Sequence, residues 1–467
     1  MYRKALKDLK QWAATERPKP LILRGARQVG KSYLAKLLAD NMLLDLCTVN
    51  LEKTKLREVE NQESFSIDRV ISEISLVCKK KISDNSLIFL DEIQAQPAAI
   101  NALRYFYEDR PGLRVIAAGS LFEVIISKQK VSIPVGRVEY YYLSPMTFFE
   151  FLQALDEEQL LSQLQHITLD SPPSKTLHEM ATELLKEYYF VGGMPEAVAT
   201  YVESKDREAV RKVHYSLVHT YREDITKYAS GGLQNKILKV LEYVPANIGE
   251  KVIFSKISRQ HSTDIKNAIA LLAMANVIYR CCHNSCTGLP LSAGADCNIL
   301  KLYFLDVGLY NSLTGLEWGD LFKLTPDNLL TKGNIAEQFA VQHLAFLTPT
   351  KEPSDLYYWL RGKKKGAAEV DFICSYKSKI LPIEVKSGAS GKMRSLWQLV
   401  YDKKIDSAIR LDLSLRKSLY STVSHHIRTG DGLKSVKCNL IGLPIYLVEN
   451  LFAILGGAND ALAKKSI

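Results

Sequence analysis

The chain has 467 residues, enough for two to four domains at roughly 100–200 residues each. Hydrophobic residues make up 47% and charged residues 24%, which excludes a chain dominated by long disorder. Lys and Arg number 61 against 51 Asp and Glu, and the formal charge of +10 is compatible with a polyanionic partner.

Residues 1–12 alternate in charge and lack the apolar core of a signal peptide. No apolar stretch reaches the roughly 18 residues of a membrane span; the longest attempt, 440–455, is broken by Pro444, Glu449 and Asn450. The expectation is a cytoplasmic protein with no membrane partner. Eight cysteines in a chain of this length do not make a disulfide scaffold and suit a reducing compartment.

The first element is a short apolar strand, Leu21, Ile22 and Leu23, followed by a G-x-x-x-x-G-K-S run and then helically spaced apolar residues. Strand, loop and helix in that order are the context of a P-loop. Residues Gly25, Ala26, Arg27, Gln28, Val29, Gly30, Lys31, Ser32 and Tyr33 are the expected nucleotide contacts. Backbone N–H groups would surround the β-phosphate at the positive end of the helix. Lys31 would reach the β- and γ-phosphates of ATP, and the Ser32 hydroxyl would ligate Mg²⁺.

The apolar strand 86–90 ends in Asp91 and Glu92. Its unbroken apolar run predicts a strand buried on both faces of a parallel sheet. Asp91 would hold Mg²⁺ through water and Glu92 would polarise the attacking water. A third strand, 113–119, leads to Ser120, placed to bond the γ-phosphate or the water as a sensor. Arg137 follows; it is either a surface arginine or a finger that faces a neighbouring subunit's nucleotide in a homo-oligomer.

With these motifs the first 200 or so residues resemble an AAA-type ATPase (AAA_14) of the group found in many prokaryotic ATP-binding proteins that carry the C-terminal domain DUF4143. Residues 143–152 and the run Tyr189-Phe-Val-Gly-Gly-Met-Pro195 support the likeness. The resemblance implies a helical lid in which Pro195 packs near the adenine, although a plain turn between lid helices reads equally well.

Beyond the lid, residues 221–227 resemble the start of the DUF4143 region. Two helices, a polar turn at Ser262 and Thr263, and a strand from Val277 suit a winged helix, which either contacts DNA or packs domains together. Cys281, Cys282, His283, Cys286 and Cys297 lack paired C-x₂-C units, so buried thiols are expected rather than zinc.

In the last third, Glu337 on an amphipathic helix, Asp371, and the alternating Glu384-x-Lys386 resemble a PD-(D/E)XK active site of the restriction-endonuclease-like fold. Alternate residues of a strand share a face, so Glu384 and Lys386 point together. Asp371, Glu384 and Glu337 would hold Mg²⁺ or Mn²⁺, and Lys386 would position water for attack on a phosphodiester. Solvated charges on an alternating strand are the bland alternative. Residues 351–394 carry ten basic against five acidic side chains. Lys363, Lys364, Lys365 and Lys392 are accordingly the expected DNA-phosphate contacts, or else a solvated hairpin tip.

The expected architecture is α/β throughout. A P-loop core spans 1–155, a helical lid 156–220, a winged-helix-like module 221–325 and a nuclease-like α/β domain 326–467. The expected activity is ATP hydrolysis with Mg²⁺, with ATP and ADP as ligands and DNA as partner. A nucleotide switch that binds DNA or protein without cutting it is the alternative.

Overall fold

The computed structural model describes residues 1–61, 65–119, 134–227, 231–258, 262–323, 333–347, 355–362, 368–386, 393–429 and 432–456. Ser120, Lys363, Lys364, Lys365 and Lys392 lie outside them. The fold is mixed α/β, built on two sheets of five and eight strands.

Helix α1 (Ala5–Ala13) buries Leu6, Leu9 and Trp12 and packs on α2 (Lys31–Met42). The first sheet has the order β2-β3-β4-β1-β5, formed by Asp45–Asn50, Ser86–Asp91, Arg114–Ala118, Leu21–Arg24 and Glu139–Tyr142, and every pairing is parallel. Leu87, Ile88, Phe89 and Leu90 of β3 are all buried, as an unbroken apolar run in a parallel sheet requires. Helices α3 (Ile67–Cys78) and α4 (Pro97–Asp109) lie against one face, where Val70, Ile74, Ile100 and Phe106 join a core with Ile88 and Leu90.

A helical region follows: α5 (Phe148–Ala154), α6 (Glu158–Gln165), α7 (Lys175–Val191), α8 (Pro195–Ser204) and α9 (Arg207–Lys227). Thr147 opens α5 with a capping box to Glu150, and Pro195 opens α8 at its first position, where a missing N–H costs nothing. Helix α9 runs without a break through the lid boundary expected at 220/221. Its buried Val210, Leu217, Val218 and Tyr221 keep one apolar stripe across that point.

Helices α10 (Gly232–Ala246), α11 (Phe254–Ile257) and α12 (Ser262–Met274) lead into the antiparallel hairpin β6–β7 (Ile278–Asn284, Ala295–Phe304). The order of elements is the one expected of a winged helix, but the hairpin is no free wing. It forms one end of an eight-stranded sheet, whose order is β12 (Tyr420–Thr429), β13 (Gly432–Pro444), β11 (Ser407–Asp412), β10 (Lys379–Val385), β9 (Glu369–Tyr376), β8 (Leu356–Leu360), β6 and β7, with β6 parallel to β8. The sheet therefore runs through the boundary expected at 325/326. The physical reason lies in β6 and β7, whose Cys281, Leu300, Leu302 and Tyr303 need cover on both faces.

In chain order α13 (Val307–Leu313), α14 (Trp318–Phe322) and α15 (Gly333–Leu344) precede β8, and α16 (Arg394–Lys403) joins β10 to its parallel neighbour β11. A helix, a three-strand antiparallel meander, a crossover helix and a parallel strand thus form its centre. Helix α16 packs Leu396, Trp397 and Val400 on Tyr357, Trp359 and Val370.

The expectation that the cysteines are all thiols is overturned: Cys282 and Cys297 are joined as a disulfide across β6–β7. The hairpin shifts register between Cys282 and His283, and the two Cα atoms lie 4.7 Å apart, within reach of a bridge. Among the described residues no helix is long and apolar enough to cross a membrane.

Candidate functional site

The loop 25–30 leaves the C-terminal end of β1 and enters α2 through Gly30 in the left-handed region (φ 92°). Among the described residues no side chain caps α2, and its first-turn N–H groups point at the loop's concavity, as an anion site requires. The Lys31 Nζ donates to the carbonyls of Gly25 (3.1 Å) and Ala26 (2.8 Å), which phosphate oxygens would replace. The Ser32 hydroxyl donates to Asp91 Oδ2 at 3.2 Å, so the helix start and the β3 tip meet where a nucleotide's Mg²⁺ would lie. Burial, and then the charge of Glu92, push the Asp91 carboxyl above its ordinary value; a divalent cation at this point would reverse that shift.

Glu92 sits in the left-handed region (φ 51°), and its carboxylate accepts a bond from Gln94. Gln94 in turn abuts the tip of β4, because a Cβ built on Gly119 would lie 2.1 Å from its Oε1. Motif reading passes over Gln94, whose only signal was its place two residues after the acidic pair.

The loop is held from three sides. Arg3, also passed over, donates to the Val29 carbonyl at 2.7 Å, the Ser144 carbonyl at 2.7 Å and Glu150 Oε1 at 3.1 Å. Arg27 forms an ion pair with Asp224 of α9, and the Tyr221 hydroxyl donates to the Arg27 carbonyl. Pro195 reaches the loop as well: its Cγ would lie 3.6 Å from a Cβ on Gly30. The Tyr33 hydroxyl bonds the Met1 carbonyl at 3.0 Å, and its ring is exposed.

Gly192 ends α7 at φ +72°, and a Cβ there would sit 2.1 Å from Asp306 Oδ1. Only glycine permits both this backbone and this approach. The buried Asp306 accepts N–H bonds from Gly193, Gly308 and Leu309, capping α13 and tying the Pro195 turn to it.

Arg137 is not brought to the loop. It lies two residues before Glu139, which pairs with Leu21 where the parallel strands begin, and the loop lies where they end. Its guanidinium pairs with Glu108 at 2.8 Å.

In the second sheet, β9 has one more residue than β8 between the pairs Tyr357–Ile373 and Trp359–Val370. This bulge contains Asp371 and turns it toward β10, where its Oδ2 accepts the Val385 N–H at 2.8 Å. Glu384 is 3% exposed; its Oε1 lies 2.6 Å from Lys386 Nζ, and its buried Oε2 has no partner among the described residues. Burial, and then Asp371, raise the Glu384 carboxyl above its ordinary value, and burial likewise raises that of Glu337. Glu337 accepts the Tyr303 hydroxyl at 2.8 Å, and Lys301 Nζ stands 3.8 Å from it and 2.5 Å from Glu369. Sequence reasoning missed Lys301, Tyr303 and Glu369. Among the described residues no three His, Cys, Asp or Glu side chains are grouped to hold a metal ion. The pair Asp371 and Glu384 still fits a hard divalent cation, because a buried, unpartnered carboxylate oxygen is the donor such an ion needs.

Comparison with known proteins assigns three segments. Residues 17–152 match the AAA domain family AAA_14, 182–320 match a domain of unknown function, DUF8612, and 332–429 match another, DUF4143. The likeness of residues 221–227 to the start of DUF4143 is thereby corrected: they fall within DUF8612. No curated protein matches the chain. Similar solved structures include the Aeropyrum pernix ORC2 protein in its ADPNP–ADP complexes, with 12% identity over 67% of this chain and 94% of that one at a TM-score of 0.34. The Thermotoga maritima RuvB Holliday junction branch migration motor is similar at 14% identity over 59% and 86%, with a TM-score of 0.29. The chain carries an AAA-type P-loop domain, followed by a DUF8612 and then a DUF4143 domain.

Proposed function

We propose that this protein hydrolyses ATP with Mg²⁺ and couples its nucleotide state to a nuclease-like C-terminal domain that binds and cuts DNA. The observation that carries the reading is the coexistence of two phosphate-directed sites in one basic chain. One is the loop with Lys31, Ser32 and Asp91; the other is the buried Asp371–Glu384–Lys386 set with its unpartnered oxygen. The order of elements around β8–β11, helix, meander, crossover helix and parallel strand, supports the nuclease-like likeness.

At the first site Lys31 would neutralise the β- and γ-phosphates, Ser32 and Asp91 would hold Mg²⁺, and Glu92 would orient water, held in place by Gln94. At the second, Asp371 and Glu384 would hold the ion, and Lys386 would position the attacking water. Bound divalent cations supply the neutralisation of phosphate charge at both sites. DNA would be gripped by the basic residues Lys363, Lys364, Lys365 and Lys392. Arg137 could act only on a neighbouring subunit's nucleotide, in a homo-oligomer.

A second reading, a nucleotide switch that binds DNA or protein without cleavage, is favoured by the bonds that Arg27 makes with Asp224 and Tyr221, which wire the loop to α9. One experiment separates the two. Plasmid nicking in Mg²⁺ and Mn²⁺ is compared between wild type and Lys386→Ala, with ATP turnover followed alongside. Cleavage predicts a loss of about 10²–10⁴-fold in nicking with turnover retained. No nicking by either protein, with slow turnover and nucleotide-dependent DNA binding, selects the switch.

A further inference from the structure

Lys301 is charged, 1% exposed and supplied by β7, outside the residues of the DUF4143 match. Its ammonium stands 2.5 Å from Glu369 Oε1 and 3.8 Å from Glu337 Oε2, beside the Tyr358 ring. Glu337 is enclosed on its other sides. The Tyr303 hydroxyl donates to the same Oε2, and the backbone of Gly249 (φ +76°) lies so near that a Cβ there would be 2.7 Å from it. Only a glycine leaves room for that carboxylate. Asp371 and Glu384 differ: Asp371 spends one oxygen on the Val385 N–H, and Glu384 keeps a buried oxygen with no partner among the described residues.

Four carboxylates, Glu337, Glu369, Asp371 and Glu384, thus meet two ammonium groups, Lys301 and Lys386. Lys301 and Tyr303 occupy Glu337, Lys301 occupies Glu369, and the open buried oxygen belongs to Glu384 beside Asp371, so the geometry offers one donor set and not two. The Lys301 ammonium carries donors only, and with 1% exposure it spends them on Glu369 and Glu337 rather than on any group outside the cluster.

We propose that Lys301 is a positioning residue of this site: a resident cation that holds Glu337 and Glu369 away from the metal, so that the site takes a single divalent ion on Asp371 and Glu384. This rests on the nuclease-like reading of the site. It assigns Glu337 to Lys301 and Tyr303, where the sequence alone places it in the metal shell.

The test is calorimetric titration of the full-length, nucleotide-free chain with Mn²⁺. Wild type should bind one ion that Glu384→Gln abolishes, and Lys301→Met should bind two. Glu337→Gln should leave the wild-type affinity unchanged, since its carboxylate is not a ligand. The proposal is overturned if Lys301→Met still binds one ion with unaltered affinity, or if Glu337→Gln weakens binding about tenfold or more. If Lys301→Met does not fold, the Glu337→Gln titration decides by itself. Wild type binding no ion that depends on Glu384 removes the nuclease-like reading and this role together; a Glu384-dependent ion that ignores Lys301 removes only the latter.

Discussion

Arg3 is nearly fully buried, and its guanidinium serves two unlike tasks: it neutralises Glu150 and it fixes the back of the phosphate loop through the Val29 carbonyl. Removing one member of a buried ion pair leaves the other uncompensated, which costs about 3–5 kcal/mol. Arg3→Ala should therefore lower the melting temperature and also weaken ATP binding, because Val29 and Gly30 lose their support. Arg3→Lys should recover the charge but not the three-way bonding. Calorimetric melting with nucleotide titration checks this; an Arg3→Ala protein that is destabilised yet binds ATP normally would show that the arginine serves the fold alone. Arg3 was hidden in a run of alternating charges, where nothing local separates a buried arginine from a solvated one. Lys301 left a better clue: a lysine inside the strand Ile-Leu-Lys-Leu-Tyr-Phe has no solvent face and demands acidic partners. Lys31, Asp91 and Glu384 stand out in the sequence as candidates because the chemistry proposed for them fixes both residue type and spacing.

At the scale of elements, the start of α5 joins the C-terminal part of the chain at His343 of α15 and at Glu449, whose Oε2 accepts the Phe149 N–H at 3.2 Å. The Phe148 N–H donates to His343 Nε2 at 3.0 Å, and His343 Nδ1 lies 2.8 Å from the Phe339 carbonyl, so the ring is neutral with its proton on Nδ1. Burial pushes His343 down to about 4 from an ordinary 6.5. The unfolded chain therefore binds the extra proton first, and stability is complete above pH 6.5. It falls by about 1.4 kcal/mol per pH unit for this group as pH drops from 6.5 toward 4, then levels. Urea unfolding across that range should show a shallower acid slope for His343→Gln than for wild type; parallel slopes would mean that the ring titrates normally. The elements themselves were largely readable, since buried parallel strands and amphipathic helices carry strong patterns. Their partnership was not. No periodicity in β6 and β7 says whether the hairpin stands as a wing or extends a sheet, because edge pairing is decided by distant strands.

At the scale of the molecule, one buried chain of hydrogen bonds links the nucleotide side to the second sheet. The Gly193 N–H, two residues from Pro195, donates to Asp306 Oδ2, and Gln342 of α15 donates to the same oxygen at 3.1 Å. The Gln342 amide also reaches the Tyr188 hydroxyl at 2.9 Å, which donates to the Met146 carbonyl. Helix α15 carries Glu337 as well, so a movement of the Pro195 turn has a rigid route to the acidic cluster. If that route conveys nucleotide state, ATP should change DNA affinity by some factor, and DNA must change ATP affinity by the same factor. Gln342→Met keeps the volume and removes the bonds, at a cost of about 1–3 kcal/mol for the polar groups left behind. It should bring both factors toward unity and leave ATP turnover without DNA near the wild-type rate, since Gln342 touches no part of the loop. Anisotropy titrations of labelled DNA with and without nucleotide, paired with nucleotide titrations with and without DNA, measure both sides of the cycle. An undiminished factor in Gln342→Met would mean that the coupling passes elsewhere, with the Arg27–Asp224 pair on α9 the next contact to break.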